Sequence, residues 1–233
     1  MTLSELSRAS ALPKSTVHRL LARLIDLDAV EHHRGGYKIS LGLMRLGVTT
    51  PAGSMRDTAL PHLADLYHWT GETIHLAVLR HFDVVYMERI ARPDSPAPIS
   101  SVGARLPANC TAIGKALLAW EDLEDLADFL PSPMPQLTPW SVSDVDQLLK
   151  ELREIKEHGV AAERNQAQPG LACVAAPIIV NGFAIGAVSV SHRAEKTLNR
   201  QVITGLRDTA TRIARDARAR LANGHSHWFP YEV

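Results

Sequence analysis

Six side chains within residues 14–23 have the chemistry to meet a polyanion. Lys14, Ser15, Thr16, His18, Arg19 and Arg23 are all donors or cations, with no carboxylate among them. Val17, Leu20, Leu21 and Leu24 are spaced i, i+3, i+4 and i+7, so on a helix they form one apolar stripe and leave the donors off it. Such a face suits a phosphate-lined groove, where cations fix position and polar groups read base edges. Further along, His32, His33, Arg34 and Lys38 add donors, and residues 1–47 carry seven Lys or Arg against four Asp or Glu. A basic helix face taken alone is more often simply solvated. The order of the surrounding elements tips the balance toward double-stranded DNA.

A second group could hold a small anion. The run from Asn109 to Gly114 enters a helix, whose first N–H groups lack intrahelical acceptors and carry the positive end of the dipole. Cys173, Ser189 and Ser191 fall on two strands joined by Asn181-Gly182, and Ser189 and Ser191, two apart, share a face. If that face lines a pocket, two hydroxyls and a thiol can orient a ligand. The plainer alternative makes Thr111 a helix cap, Cys173 a small buried hydrophobe and the serines ordinary strand residues. An enzyme with Cys173 as nucleophile and His192 or His75 as base is a competing class. The apolar run Leu171 to Ile179 argues against it, because it should raise the thiol pKa. A metal sensor is a third class, but among 11 histidines only His32-His33 and His225-Ser226-His227 cluster, and both read as surface features.

The elements that must position these residues follow from the pattern. Thr2 and Glu5 make a capping box for a helix from Leu3 to about Ala9, and Pro13 starts a second helix. Ala29–His33 and Gly36–Ile39 read as strands around Arg34-Gly35-Gly36. Helix, turn, helix and hairpin is the order of a winged helix-turn-helix. A short helix over Ser40–Gly47 should end at a linker near Thr49–Gly53, followed by a helix from Ser54 to Thr70 with a seam of Leu60, Leu63, Leu66 and Tyr67. Next come a hairpin of Glu72–Leu79 and Val84–Ile90, an irregular stretch around Pro93, Pro96 and Pro98, and a strand over Ile99–Val102. Helices are expected from Thr111 to Trp120, Glu121 to Leu130 and Asp144 to His158, with a proline-rich loop before the last. Strands Val160–Arg164, Leu171–Val180 and Phe183–Ser191, then a helix from Leu198 to Leu221 and a mobile tail, close the chain. The fold class is α+β: the winged head, then a mainly antiparallel sheet flanked by helices.

Composition excludes little else. A 45% hydrophobic content over 233 residues is ordinary for a globular chain. No apolar run approaches membrane-spanning length, so no membrane partner is expected. Two distant cysteines, Cys110 and Cys173, suggest a cytoplasmic thiol protein. No motif calls for a cofactor or a metal.

Several phrases resemble the IclR family of bacterial transcription regulators over nearly the whole length. They are Leu12 to Leu21, Leu60-Pro61-His62-Leu63, Thr70-Gly71-Glu72-Thr73, Gly103 to Pro107 leading into Gly114 to Ala119, and Gly170 to Pro177. The resemblance implies a winged-helix domain at 1–48, a linker and connecting helix at 49–71, and a GAF-like effector-binding domain at 72–233. It also implies a homodimer or dimer of dimers on operator DNA, answering to a small organic acid, and no enzymatic activity. Matched motif to motif, the pocket falls near Thr111, Ala112, Cys173, Ser189 and Ser191, with Glu163 as polar partner; apart from the match, packing suggests Leu106, Ile113 and Met87 as apolar walls, and Ile113 joins the expected effector-binding residues. Two departures stand out. Family members have a further helix before the segment that opens here at Met1, so the apolar backs of Leu6, Val17 and Leu21 are expected to be uncovered. Asp28 stands where the family commonly has glycine, and Asp tolerates the left-handed conformation.

Overall fold

The computed structural model describes residues 1–43, 47, 50–92, 99–123, 126 and 130–222. The chain forms two compact units, Met1–Ser54 and Met55–Val233.

In the first unit, α1 (Leu3–Ser10) is capped as its sequence requires. The Glu5 N–H donates to Thr2 Oγ1 at 3.3 Å and the Thr2 N–H to Glu5 Oε2 at 2.7 Å. Pro13 precedes α2 (Lys14–Asp26). A two-stranded antiparallel hairpin follows, β1 (Val30–His33) and β2 (Gly36–Ile39), turned by Arg34 and Gly35, both at positive φ. Asp28 does adopt the left-handed conformation, at φ 53°, and its Oδ1 accepts from the Ser40 hydroxyl at 2.7 Å. Gly42 lies directly against it: a Cβ there would stand 2.1 Å from Asp28 Oδ2.

The apolar stripe of α2 is only half used. Val17 and Leu21 are buried while Leu20 and Leu24 are 49% and 39% exposed, joined at the surface by Leu27, Ile39 and Leu41. This corrects the expectation that Val17 and Leu21 would be uncovered. The stripe is wider than the surface α1 and the hairpin present, so one edge of it is covered and the other is not. Of the helix expected over Ser40–Gly47, Gly42, Leu43 and Gly47 are helical, and residues 44–46 lie outside the described residues.

The second unit is a six-stranded sheet between helices. Its strands are β3 (Thr73–Arg80), β4 (Asp83–Ile90), β5 (Arg105–Pro107), β6 (Ala161–Arg164), β7 (Leu171–Val180) and β8 (Phe183–Arg193). They are ordered β5-β4-β3-β8-β7-β6, every neighbouring pair antiparallel. Asn181 and Gly182, at φ 52° and 89°, turn β7 into β8. One face carries Ile74, Leu76, Val174, Ile178, Val188 and Val190 against α3 (Pro51–Thr70) and the final helix α6 (Arg200–Ala222). The other carries smaller residues, Ala77, Ala175 and Ala187, against α4 (Ala112–Leu118) and α5 (Val145–His158).

Boundaries shifted where turns compete with pattern. Ile99–Val102 is turn, not strand; the edge strand is Arg105–Pro107, too short to show a period. Helix α3 begins at Pro51 rather than Ser54 and runs on through Pro61. The helix expected over Glu121–Leu130 lies partly outside the described residues, and the proline stretch from Pro93 to Pro98 and the tail from 223 lie wholly outside them.

Candidate functional site

The small-residue face of the sheet lets α4 come close. All seven residues of α4 are buried, and a Cβ on Gly114 would stand 2.2 Å from the carbonyl oxygen of Ala108, so only glycine fits where the helix leaves the preceding turn. Thr111 caps α4, its Oγ1 accepting the Gly114 N–H at 2.9 Å. The first N–H groups of the helix, those of Ala112 and Ile113, have no acceptor within the helix itself.

Between α4 and the sheet lies an enclosed cavity, and each effector-site residue named from the sequence lines it: Thr111, Ala112, Ile113, Glu163, Cys173, Ser189 and Ser191. Leu106 is there too. Met87 is not; it packs on the opposite face, because it alternates with Tyr86, which does line the cavity. Free space inside is only about 20 Å³, near that of a single water. Two larger grooves are open to solvent: one of about 890 Å³ beside Trp69 and Arg200, and one of about 660 Å³ along β6 and α5. Neither is enclosed as the small cavity is.

A hydrogen-bonded chain crosses the cavity wall. Cys173 Sγ lies 3.1 Å from Ser191 Oγ, which is 3.3 Å from His75 Nδ1, and His75 Nε2 lies 2.9 Å from Ser100 Oγ. The His75 ring meets Tyr86 edge-on at 5.3 Å. Burial, with Arg89 adding to it, holds the His75 imidazole pKa down to about 3, so the ring is neutral. Burial likewise pushes the Cys173 thiol well up. A neutral histidine reached only through Ser191 and an un-ionised thiol make a poor nucleophile–base pair. His192, the other base considered, points its Nδ1 at its neighbour's carbonyl, 2.9 Å from Arg193 O.

Glu163 on β6 is 5% exposed. Its Oε2 accepts the Gln166 N–H at 2.8 Å and its Oε1 is buried with no partner in hydrogen-bond geometry; burial pushes its carboxyl pKa up, against the opposing pull of the Cys173 thiol and the Gln166 and Ala167 N–H groups. The Ser189 hydroxyl, on the same wall, has no partner among the described residues. His75, Tyr86 and Ser100 were missed as wall residues. A histidine amid an apolar strand, in phase with Ala77, was the available signal for the first.

In the first unit, Lys14, Ser15, His18, Arg19 and Arg23 of α2 and Arg34 and Lys38 of the hairpin are exposed, with Thr16 half-buried. Arg23 pairs with Asp26 at 3.6 Å and Lys38 with Glu31 at 2.7 Å, whereas Lys14, Arg19 and Arg34 make no ion pair among the described residues. No group of three potential metal-ligating side chains converges among the described residues. No helix among them is long and apolar enough to cross a membrane.

A winged helix-turn-helix and a helix-covered antiparallel sheet enclosing a small polar cavity define a ligand-responsive transcription regulator. The model of the IclR C-terminal domain of bacterial transcriptional regulators matches residues 51–215, and the IclR helix-turn-helix domain model matches residues 1–34. The chain belongs to the IclR family. It is 31% identical over 198 residues to the HTH-type transcriptional regulator KdgR of Dickeya chrysanthemi, covering 81% of this chain but 64% of that protein. To the glycerol operon regulatory protein of Streptomyces coelicolor it is 29% identical over 223 residues, covering 92% and 87%. An IclR homolog from Microbacterium hydrocarbonoxydans, solved in complex with 4-hydroxybenzoate, superposes with a TM-score of 0.85 at 28% identity, over 94% of this chain and 92% of that one.

Proposed function

We propose that this chain senses a small organic acid, aromatic acids included, in the cavity beneath α4 and answers with a change of affinity for double-stranded operator DNA. It would control a catabolic operon and catalyse nothing. The observation that supports this is the convergence of seven residues, Thr111 to Ile113, Glu163, Cys173, Ser189 and Ser191, on one enclosed cavity. The ligand carboxylate sits at the first turn of α4, where N–H groups and the helix dipole favour it. The uncommitted hydroxyl of Ser189 orients the rest. The 4-hydroxybenzoate bound by the Microbacterium homolog supports the aromatic acid class.

In the same proposal, 1–48 is the DNA-binding domain, 49–71 the linker and connecting helix, and 72–233 the effector domain. Lys14, Ser15, Thr16, His18, Arg19 and Arg23 face the major groove while Arg34 and Lys38 lie on the backbone. A cytoplasmic homodimer, or dimer of dimers, presents paired heads to the operator.

A thermal-shift screen of small carboxylates and aromatic acids tests it, since a ligand at about 100 times its dissociation constant adds about 2.7 kcal/mol of stability. For the ligand so found, Ser189→Ala should weaken binding by about fivefold, equivalent to about 1 kcal/mol, with the ligand-free melting temperature unchanged. Full affinity in Ser189→Ala would put the ligand elsewhere.

A further inference from the structure

Glu163 is an odd residue for a site that takes an acid. It brings a buried carboxyl whose Oε1 has no partner, and no Lys or Arg lines the cavity among the described residues. The cation acting on it is Lys115 of α4, whose Nζ is committed to Glu151 of α5 at 2.7 Å. The titratable groups facing it from the other strands are uncharged: the Cys173 thiol on β7, the Tyr86 phenol on β4 and the His75 imidazole on β3. On its outer side, Glu163 borders the open groove with Glu151, Glu154 and His158 of α5, Arg164 of its own strand and His192 of β8. Arg89 of β4 stands opposite His75 in the sheet register but does not line the cavity.

Two carboxylates sharing such a site do not both stay ionised. We propose that Glu163 holds a proton when the effector is bound and donates a hydrogen bond from Oε1 to the effector carboxylate, so that each effector is taken up with one proton. This rests on the carboxylate-effector proposal above. The unpartnered oxygen is where that donor would form, and the burial that already favours the protonated acid works in the same direction. The protein therefore responds to effector and pH jointly: acidification strengthens effector binding.

The test is calorimetry of the full chain with benzoate, 4-hydroxybenzoate and the neutral 4-hydroxybenzamide, at several pH values and in two buffers of different ionisation enthalpy. For a bound acid, about one proton should be taken up per ligand, and affinity should fall about tenfold per pH unit above the free pKa of Glu163. Glu163→Gln, whose amide donates without titrating, should bind the acid with no proton uptake and a flat pH profile; its melting curve guards against misfolding. If an acid binds wild type with neither proton uptake nor a pH slope, the proton coupling is overturned while the effector class stands; loss of binding in Arg89→Ala would then identify the counter-charge. A slope that persists in Glu163→Gln also overturns it. If the benzamide binds and neither acid does, the carboxylate proposal fails and this one with it.

Discussion

His75 shows how much of this site is set by the environment of one side chain. It is 4% exposed, held between Ser100 and Ser191, and its pKa lies near 3 rather than the ordinary 6.5. A histidine depressed in the fold takes up its proton in the unfolded chain first. Between pH 6.5 and about 3 the unfolded state binds more protons, so the stability His75 contributes is whole above 6.5 and is lost as pH falls through that window. The steepest loss is about 1.4 kcal/mol per pH unit. Melting curves should therefore fall more steeply for wild type than for His75→Gln between pH 6 and 4. Parallel curves would mean that the buried ring is not the group that titrates. Glu163 has the opposite sign: an acid raised by burial weakens the fold as pH rises past its unfolded value, a cost tolerable where ligand binding recovers it.

At the scale of elements, α4 is the piece on which the cavity depends, and Gly114 is what lets it dock. A Cβ there meets Ala108 backbone atoms at 2.2 to 2.6 Å, and backbone cannot swing aside as a side-chain tip can. Gly114→Ala should destabilise by about 1–3 kcal/mol or more despite the higher helix propensity of alanine, and should weaken effector binding because α4 moves. Chemical denaturation gives the first and the ligand titration the second; a stabilised variant would refute the close approach. The sequence announced α4 through Thr111 and the apolar run after it, and announced β7 and β8 through Asn181-Gly182, because caps and tight turns are local chemistry. Ser189 and Ser191 were readable as one face for the same reason: period two needs no partner. What escaped was set by contact across the fold. Arg105–Pro107 is a strand only because β4 offers it an edge. His75 belongs to the cavity only because β3 lies beside β8. Leu20 and Leu24 look like core in the stripe, but coverage by α1 and the hairpin decides burial, and it stops short of them.

For the whole molecule, the small free volume of the cavity matters as much as its lining. An aromatic acid is larger than the space of about 20 Å³ seen here, so it must favour a different conformation of the body over this one. That unequal affinity is the condition for one site to influence another. In the first unit, the cations of the head are not equivalent. Lys38 and Arg23 already have carboxylate partners that DNA would have to displace, whereas Lys14 and Arg19 are uncommitted. Removing Lys14 and Arg19 together should lower the slope of log affinity against log salt by about two, and weaken binding far more than removing Arg23 and Lys38 does. If either residue reads a base, that position alone should lose about 1–3 kcal/mol of discrimination. Since the cavity lies in the other compact unit, the Lys14/Arg19 variant should still show the full thermal shift with effector. The checks are fluorescence anisotropy on operator and scrambled duplexes over a salt series, with the thermal shift alongside. Equal losses in the two double variants would show that the ion pairs of Arg23 and Lys38 do not set their rank, and unchanged binding in the Lys14/Arg19 variant would remove α2 as the carrier of the phosphate contacts assigned to it.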